Sequence, residues 1–132
     1  GLQSQVCVHS EICGKGVALE HSGDAYSCDH YVYPEYKLGN IRGRSLGDMV
    51  FSPRQVKFGY AKSESLPAYC RQCQILTDCW GECPKNRLLR TPDGEPGLNY
   101  LCPGLKRFFA HAVPTADMMA VRLKAGKTHS SG

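Results

Sequence analysis

The chain has 132 residues with a net charge of +4, and it contains 14 Gly, 8 Pro and 8 Cys. Leu, Ile, Val and Phe make up only about a fifth of it, so a single domain is expected whose apolar core alone does not offset the entropy of ordering the chain. The basic residues are scattered, with Lys85, Arg87 and Arg90 the densest group; they lack the stripe of a nucleic-acid reader and read as a solvated surface able to attract an acidic partner. No apolar run approaches the roughly 18 residues of a membrane span. Gly1 to Ser10 lacks the apolar stretch of a signal peptide, and the abrupt start reads as a piece of something longer. One domain over residues 1–126 is expected, with the polar segment Lys127 to Gly132 a frayed tail.

Val17 to His21, the turn residues Ser22-Gly23-Asp24, and Ala25 to Cys28 predict a β-hairpin whose second strand ends on Cys28 and Asp29. Ser52-Pro53-Arg54-Gln55 predicts a helix start, with Ser52 as N-cap, Pro53 at the first position and Gln55 closing a capping box; the helix should run to about Tyr60. Leu98, Leu101, Leu105, Phe108, Phe109 and Ala112 recur at spacings of three and four, which predicts an amphipathic helix with Cys102 on or beside its apolar face. Pro114 should end or kink that helix, and Ala116, Met119 and Leu123 suggest a further turn or two packing nearby. The methionines read as core fillers. The expected fold is small and irregular α+β, one hairpin plus short helices organised around two four-cysteine metal centres.

Cysteine spacing is the strongest signal. Cys70-x2-Cys73-x5-Cys79-x3-Cys83 places four thiols within 14 residues. Two residues between thiolates let a tight turn aim both sulfurs at one metal, and Pro84 stops the segment from continuing as helix. Three readings are open at this point: disulfide staples, two structural zinc sites, or two iron–sulfur clusters. Crowding and the CxxC spacing argue against disulfides, whereas spacing does not separate zinc from iron because both accept four thiolates.

Cys13-x9-Gly23-x4-Cys28, then Cys70-x2-Cys73-x5-Cys79-x3-Cys83, then Cys102 resembles the seven-cysteine SPASM signature of radical-SAM enzymes that modify peptides and proteins. Gly23-Asp24-Ala25-Tyr26-Ser27-Cys28-Asp29-His30-Tyr31-Val32-Tyr33-Pro34, Leu38-Gly39-Asn40-Ile41 and Asn99-Tyr100-Leu101-Cys102 look most like the anaerobic sulfatase-maturating branch, and Cys7 supplies that branch's eighth thiolate. The resemblance implies two [4Fe–4S] clusters with crossed ligands: Cys7, Cys13, Cys28 and Cys83 for the first, and Cys70, Cys73, Cys79 and Cys102 for the second. Zinc could replace iron in material prepared in air.

The same resemblance implies an oxidoreductase of sulfatase maturation, which converts a sulfatase Cys or Ser to formylglycine in the cytoplasm before export. Its partners would be the sulfatase polypeptide and the radical-SAM domain of the same parent chain, with neither nucleic acid nor membrane. The CxxxCxxC run that holds S-adenosylmethionine does not occur here, so the radical step would fall to the full-length parent. Asp29 would be the base that takes a proton from the substrate side chain; read without the family, it could equally cap the turn after the hairpin. His30 could tune Asp29, and Trp80 is expected to pack over a cluster. Tyr31, Tyr33 and Tyr36 are expected around the hairpin base, with one able to line a substrate channel. His9, His21 and His111 read as surface or packing residues, and His129 lies in the tail.

Overall fold

The structure, a computed structural model, describes residues 4–126; the Lys127 to Gly132 tail and His129 lie outside them. The chain divides into two units, residues 1–100 and 101–132.

The expected hairpin forms but is shorter than the sequence suggests, and it gains a third strand. β1 (Ala18–Leu19), β2 (Asp24–Tyr26) and β3 (Lys37–Asn40) make an antiparallel sheet in that order, with a bulge between Ala25 and Tyr26. Ala25 on β2, Leu38 on β3 and Met49 form a buried apolar cluster with Val17 packed against it. Met49 lies on α1 (Leu46–Val50), whose N-cap Ser45 accepts from the Asp48 amide. Burying Leu38 and Met49 contributes about 3–6 kcal/mol, little against the ordering of the whole unit.

α2 (Pro53–Glu64) starts as predicted, with Ser52 Oγ accepting from the Gln55 amide at 3.3 Å, and runs four residues past the expected end. The other half of the capping box does not form. Gln55 turns away and donates from Nε2 to the Ser27 carbonyl at 3.0 Å, while the Ser52 amide donates to Met49. The helix buries Gln55, Gly59 and Lys62, spaced four and three apart, while Val56 and Tyr60 are about half exposed. Its inward face is therefore polar, the reverse of the usual amphipathic arrangement.

Two short helices follow, α3 (Ala68–Arg71) and α4 (Leu76–Cys79), and α4 packs against a 3-10 turn at Cys7–His9. β4 (Leu89–Arg90) and β5 (Pro96–Leu98) form a second antiparallel hairpin around the Thr91-Pro92-Asp93-Gly94 turn, closed by the Gly94 amide on the Thr91 carbonyl.

In the second unit, α5 (Cys102–Lys124) is one continuous helix with Pro103 in its first turn. Leu98 belongs to β5, so the helix begins four residues later than its apolar periodicity suggests. Pro114 does not end it. Proline removes one amide donor at a cost of about 3 kcal/mol, and the ten residues beyond it, rich in Ala, Met and Leu, restore the ladder. The segment around Ala116, Met119 and Leu123 is thus the same helix rather than a further packed turn. None of its residues is buried; Met118 and Met119 are about half exposed and Leu123 more so. Of the three methionines, only Met49 fills a core.

Candidate metal centre

Cys7, Cys13, Cys28 and Cys83 come from four separate stretches of chain and line one cavity of about 210 Å³, together with Asp29, His30, Phe58 and Lys62. Each is placed by a local device. Cys7 opens its 3-10 turn. Cys13 lies against α2, its amide donating to the Gly59 carbonyl at 3.0 Å; a Cβ on Gly59 would stand 2.9 Å from the Cys13 carbonyl oxygen, so only glycine lets the two backbones approach this closely. Cys28 follows Ser27, which is buried, donates its amide to Tyr36 and accepts from Gln55.

Cys83 is positioned by a left-handed turn. Trp80, Gly81 and Glu82 all have positive φ (46°, 67° and 51°), an arrangement that costs a non-glycine residue about 1–2 kcal/mol. The turn is held from outside. Arg87 donates to the Trp80 and Gly81 carbonyls at 3.0 and 3.2 Å, and Asn99 donates to the Gly81 carbonyl and to Glu82 Oε2. A side chain at Gly81 would strike Leu66 at 2.5 Å.

Burial pushes the Cys13, Cys28 and Cys83 thiols up, Cys28 to about 11, while the Lys62 and Arg87 charges pull Cys13 back down. Asp29 is exposed and accepts from the Cys28 thiol at 3.1 Å, which holds its carboxyl below the usual range. That bond belongs to the thiol form, since a thiolate has no proton to donate. His30 Nδ1 lies 3.4 Å from Cys83 Sγ. Among the described residues, Cys28, Asp29 and His30 are the one set of three or more metal-type donors lying within 4.8 Å of one another.

Tyr31, Tyr36 and Phe58 form an edge-to-face cluster with ring centroids 4.8–5.8 Å apart beside the cavity, as expected of the hairpin-base tyrosines; Phe58 was not anticipated. Lys85 sits over the Tyr33 ring and donates to its hydroxyl at 2.7 Å.

The reading of the basic residues as solvated surface fails at two positions. Lys62 is 1% exposed, and Arg87 spends its donors on carbonyls and a hydroxyl within the fold. Neither was legible, because a cation on a helix or in a loop reads as surface unless a buried acceptor set can be foreseen.

The other four cysteines lie on three helices and a turn. Cys70 lies in α3, Cys73 in the turn after it, Cys79 ends α4, and Cys102 opens α5 in the second unit. Trp80 is partly buried at the left-handed end of α4.

Four cysteines line one cavity on a small scaffold of short antiparallel strands and helices, and comparison with known proteins gives the family. The family model described as an iron–sulfur cluster-binding SPASM domain matches residues 7–74, more than half of the chain, and the chain belongs to that family. It is 52% identical over 123 residues to a serine-type anaerobic sulfatase-maturating enzyme of Bacteroides thetaiotaomicron, covering 93% of this chain and 30% of that protein. With a cysteine-type anaerobic sulfatase-maturating enzyme of Clostridium perfringens it shares 28% identity over 122 residues, 92% of this chain and 32% of that protein. The solved structure of native anSMEcpe with bound AdoMet and the Kp18Cys peptide superposes with a TM-score of 0.74 at 28% identity, over 90% of this chain and 32% of that one. The chain thus spans about a third of the length of the relatives it matches. Among the described residues, no helix is long and apolar enough to cross a membrane.

Proposed function

We propose that this chain is the auxiliary-cluster domain of a radical-SAM enzyme that oxidises a sulfatase Cys or Ser to formylglycine. The observation that carries this reading is the shared cavity of Cys7, Cys13, Cys28 and Cys83. Its volume is more than tenfold what one water occupies, room for a polyatomic group. A single tetrahedral zinc holds its sulfurs at about 2.3 Å and needs less room. These four residues would hold the first [4Fe–4S] cluster. Cys70, Cys73, Cys79 and Cys102 would hold the second, an assignment supported by the family's ligand pattern.

When bound, the clusters supply thiolate-ligated one-electron acceptors. The chain's own residues do the rest. Asp29, exposed at the cavity and ionised at neutral pH, accepts a proton from the substrate side chain as it is oxidised. Tyr31 and Phe58, which line the cavity, shield it from water. The substrate is a sulfatase polypeptide, met in the cytoplasm, and the radical comes from a domain with S-adenosylmethionine in the full-length protein. The names of the relatives and the peptide bound to the structural neighbour support this assignment.

Asp29→Asn in the full-length protein tests it. Formylglycine formation on a sulfatase peptide should fall at least a hundredfold while iron and sulfide content stay unchanged. Normal turnover with full iron would remove Asp29 from the chemistry.

A further inference from the structure

Two cations, buried Lys62 and half-buried Arg87, carry an inference beyond ligand assignment. Lys62 has three ammonium donors, and all three go to carbonyls of one segment: Cys7 at 2.6 Å, Val8 at 3.0 Å, and Ser10. That segment carries one cysteine of the cavity and leads into the next, Cys13. Arg87 reaches the carbonyls of Lys62 at 2.8 Å, Trp80 at 3.0 Å and Gly81 at 3.2 Å, and the Ser65 hydroxyl at 3.2 Å.

Neutral carbonyls satisfy the hydrogen bonds of these groups but leave their charges unbalanced. Among the described residues, neither Lys62 nor Arg87 forms an ion pair with a carboxylate. A buried charge without a counter-charge is strongly destabilising. Lys62 instead lines the same cavity as Cys7, Cys13, Cys28 and Cys83. Burial pulls the Lys62 and Arg87 pKa values down, and negative charge on the cysteines pulls them back up, Cys13, Cys7 and Cys83 for Lys62 and Cys70, Cys13 and Cys83 for Arg87.

We infer that Lys62 and Arg87 are positioning residues that serve as fixed counter-charges to the cysteine-bound group, binding the ligand segments by hydrogen bonds and setting the group's reduction potential by their charge. The inference rests on the proposed cluster at Cys7, Cys13, Cys28 and Cys83. An iron–sulfur core with four thiolates is net anionic and gains a further negative charge on reduction. A nearby buried cation therefore favours the reduced state, and in a low-dielectric site this interaction is weakly screened. The arrangement also explains why α2 turns a lysine inward where an apolar residue would fill the same space more cheaply.

The test is a potentiometric titration, followed by electron paramagnetic resonance, of the full-length holoprotein in four forms: wild type, Lys62→Gln, Lys62→Arg and Arg87→Gln. In Lys62→Gln, one cluster should become harder to reduce, with its oxidised-to-reduced ratio at the wild-type midpoint raised about tenfold, equivalent to about 59 mV for a one-electron couple. The other clusters should keep their midpoints. Lys62→Arg keeps the charge and should stay within threefold of wild type, and Arg87→Gln should shift the same cluster, and the cluster at Cys70 with it, in the same direction while leaving the Lys62 bonds to Cys7, Val8 and Ser10 intact. Iron lost from Lys62→Gln and restored in Lys62→Arg also supports the charge role. Unshifted midpoints in both Gln variants at full iron overturn the inference, and so does an equal change in Lys62→Gln and Lys62→Arg. The underlying assignment fails separately, if a variant with Cys7, Cys13, Cys28 and Cys83 all changed to Ala keeps all its iron.

Discussion

Helices α2 and α5 break the rule of hydrophobic periodicity in opposite directions. α2 has a weak apolar pattern and hides its polar residues: Gln55, Gly59 and Lys62 face inward while Val56 and Tyr60 face out. α5 has a clear apolar pattern, yet none of its residues is buried, and Phe108, Met119, Val121 and Leu123 are more than half exposed. The difference teaches what each helix is for. α2 positions chemistry: its inward side chains grip the backbone at Ser27 and Cys7 to Ser10, and its one inward glycine admits Cys13. α5 follows its own propensity, strongly enough to carry Pro114.

Three substitutions sharpen the contrast between a polar-lined unit and a propensity-driven helix. Gly81→Ala should have the largest effect. It places a Cβ 2.5 Å from Leu66 in a residue with φ of +67°, and strain plus overpacking should cost about 3 kcal/mol, read as a lowered denaturation midpoint with partial loss of iron. Unchanged stability would mean the left-handed turn is not a fixed feature of the Cys83 site.

Ser52→Ala comes next. It removes the bond from the Gln55 amide and should cost about 1 kcal/mol, visible as a smaller downward shift of the same midpoint. A cost near zero would show that the Gln55–Ser27 clamp, not the cap, fixes the start of α2.

The smallest effect concerns Asp24, which accepts from Lys37 at 2.7 Å and from Asn40 at 2.9 Å, bonds that lower its pKa. A carboxyl depressed in the folded state contributes stability that is present above its unfolded value, about 3.9, and is lost as pH falls through the lower folded value. An NMR titration of the Asp24 carboxyl should therefore find its midpoint below that of an unfolded Asp, and Lys37→Met should move it back up.

The hairpin that leads to Cys28 and the start of α2 at Ser52 were legible, because turn and cap residues are local properties of sequence. Several elements were missed. β3 is masked by Gly39 and Asn40, poor strand formers held in place by pairing with β2. The β4–β5 hairpin had a readable signal in Thr91-Pro92-Asp93-Gly94, the turn composition that should have announced it. Lys62 and Arg87 had no signal, since their burial depends on carbonyls contributed by segments up to 55 residues away. That α5 runs on past Pro114 rather than ending there was not legible, because one lost donor was weighed over the helix formers that follow it.

The central claim is that metal ligation, rather than the small cluster of Ala25, Leu38 and Met49, holds the cysteine-bearing unit together. Stripping the metal from the full-length holoprotein with a chelator under anaerobic conditions, and following near-UV circular dichroism from the Tyr31, Tyr36 and Phe58 cluster, tests it most directly. Loss of that signal in step with loss of iron, and its return on reconstitution, is the result expected. A signal that persists in the metal-free protein would contradict the claim and return the fold to its apolar and hydrogen-bonded contacts alone.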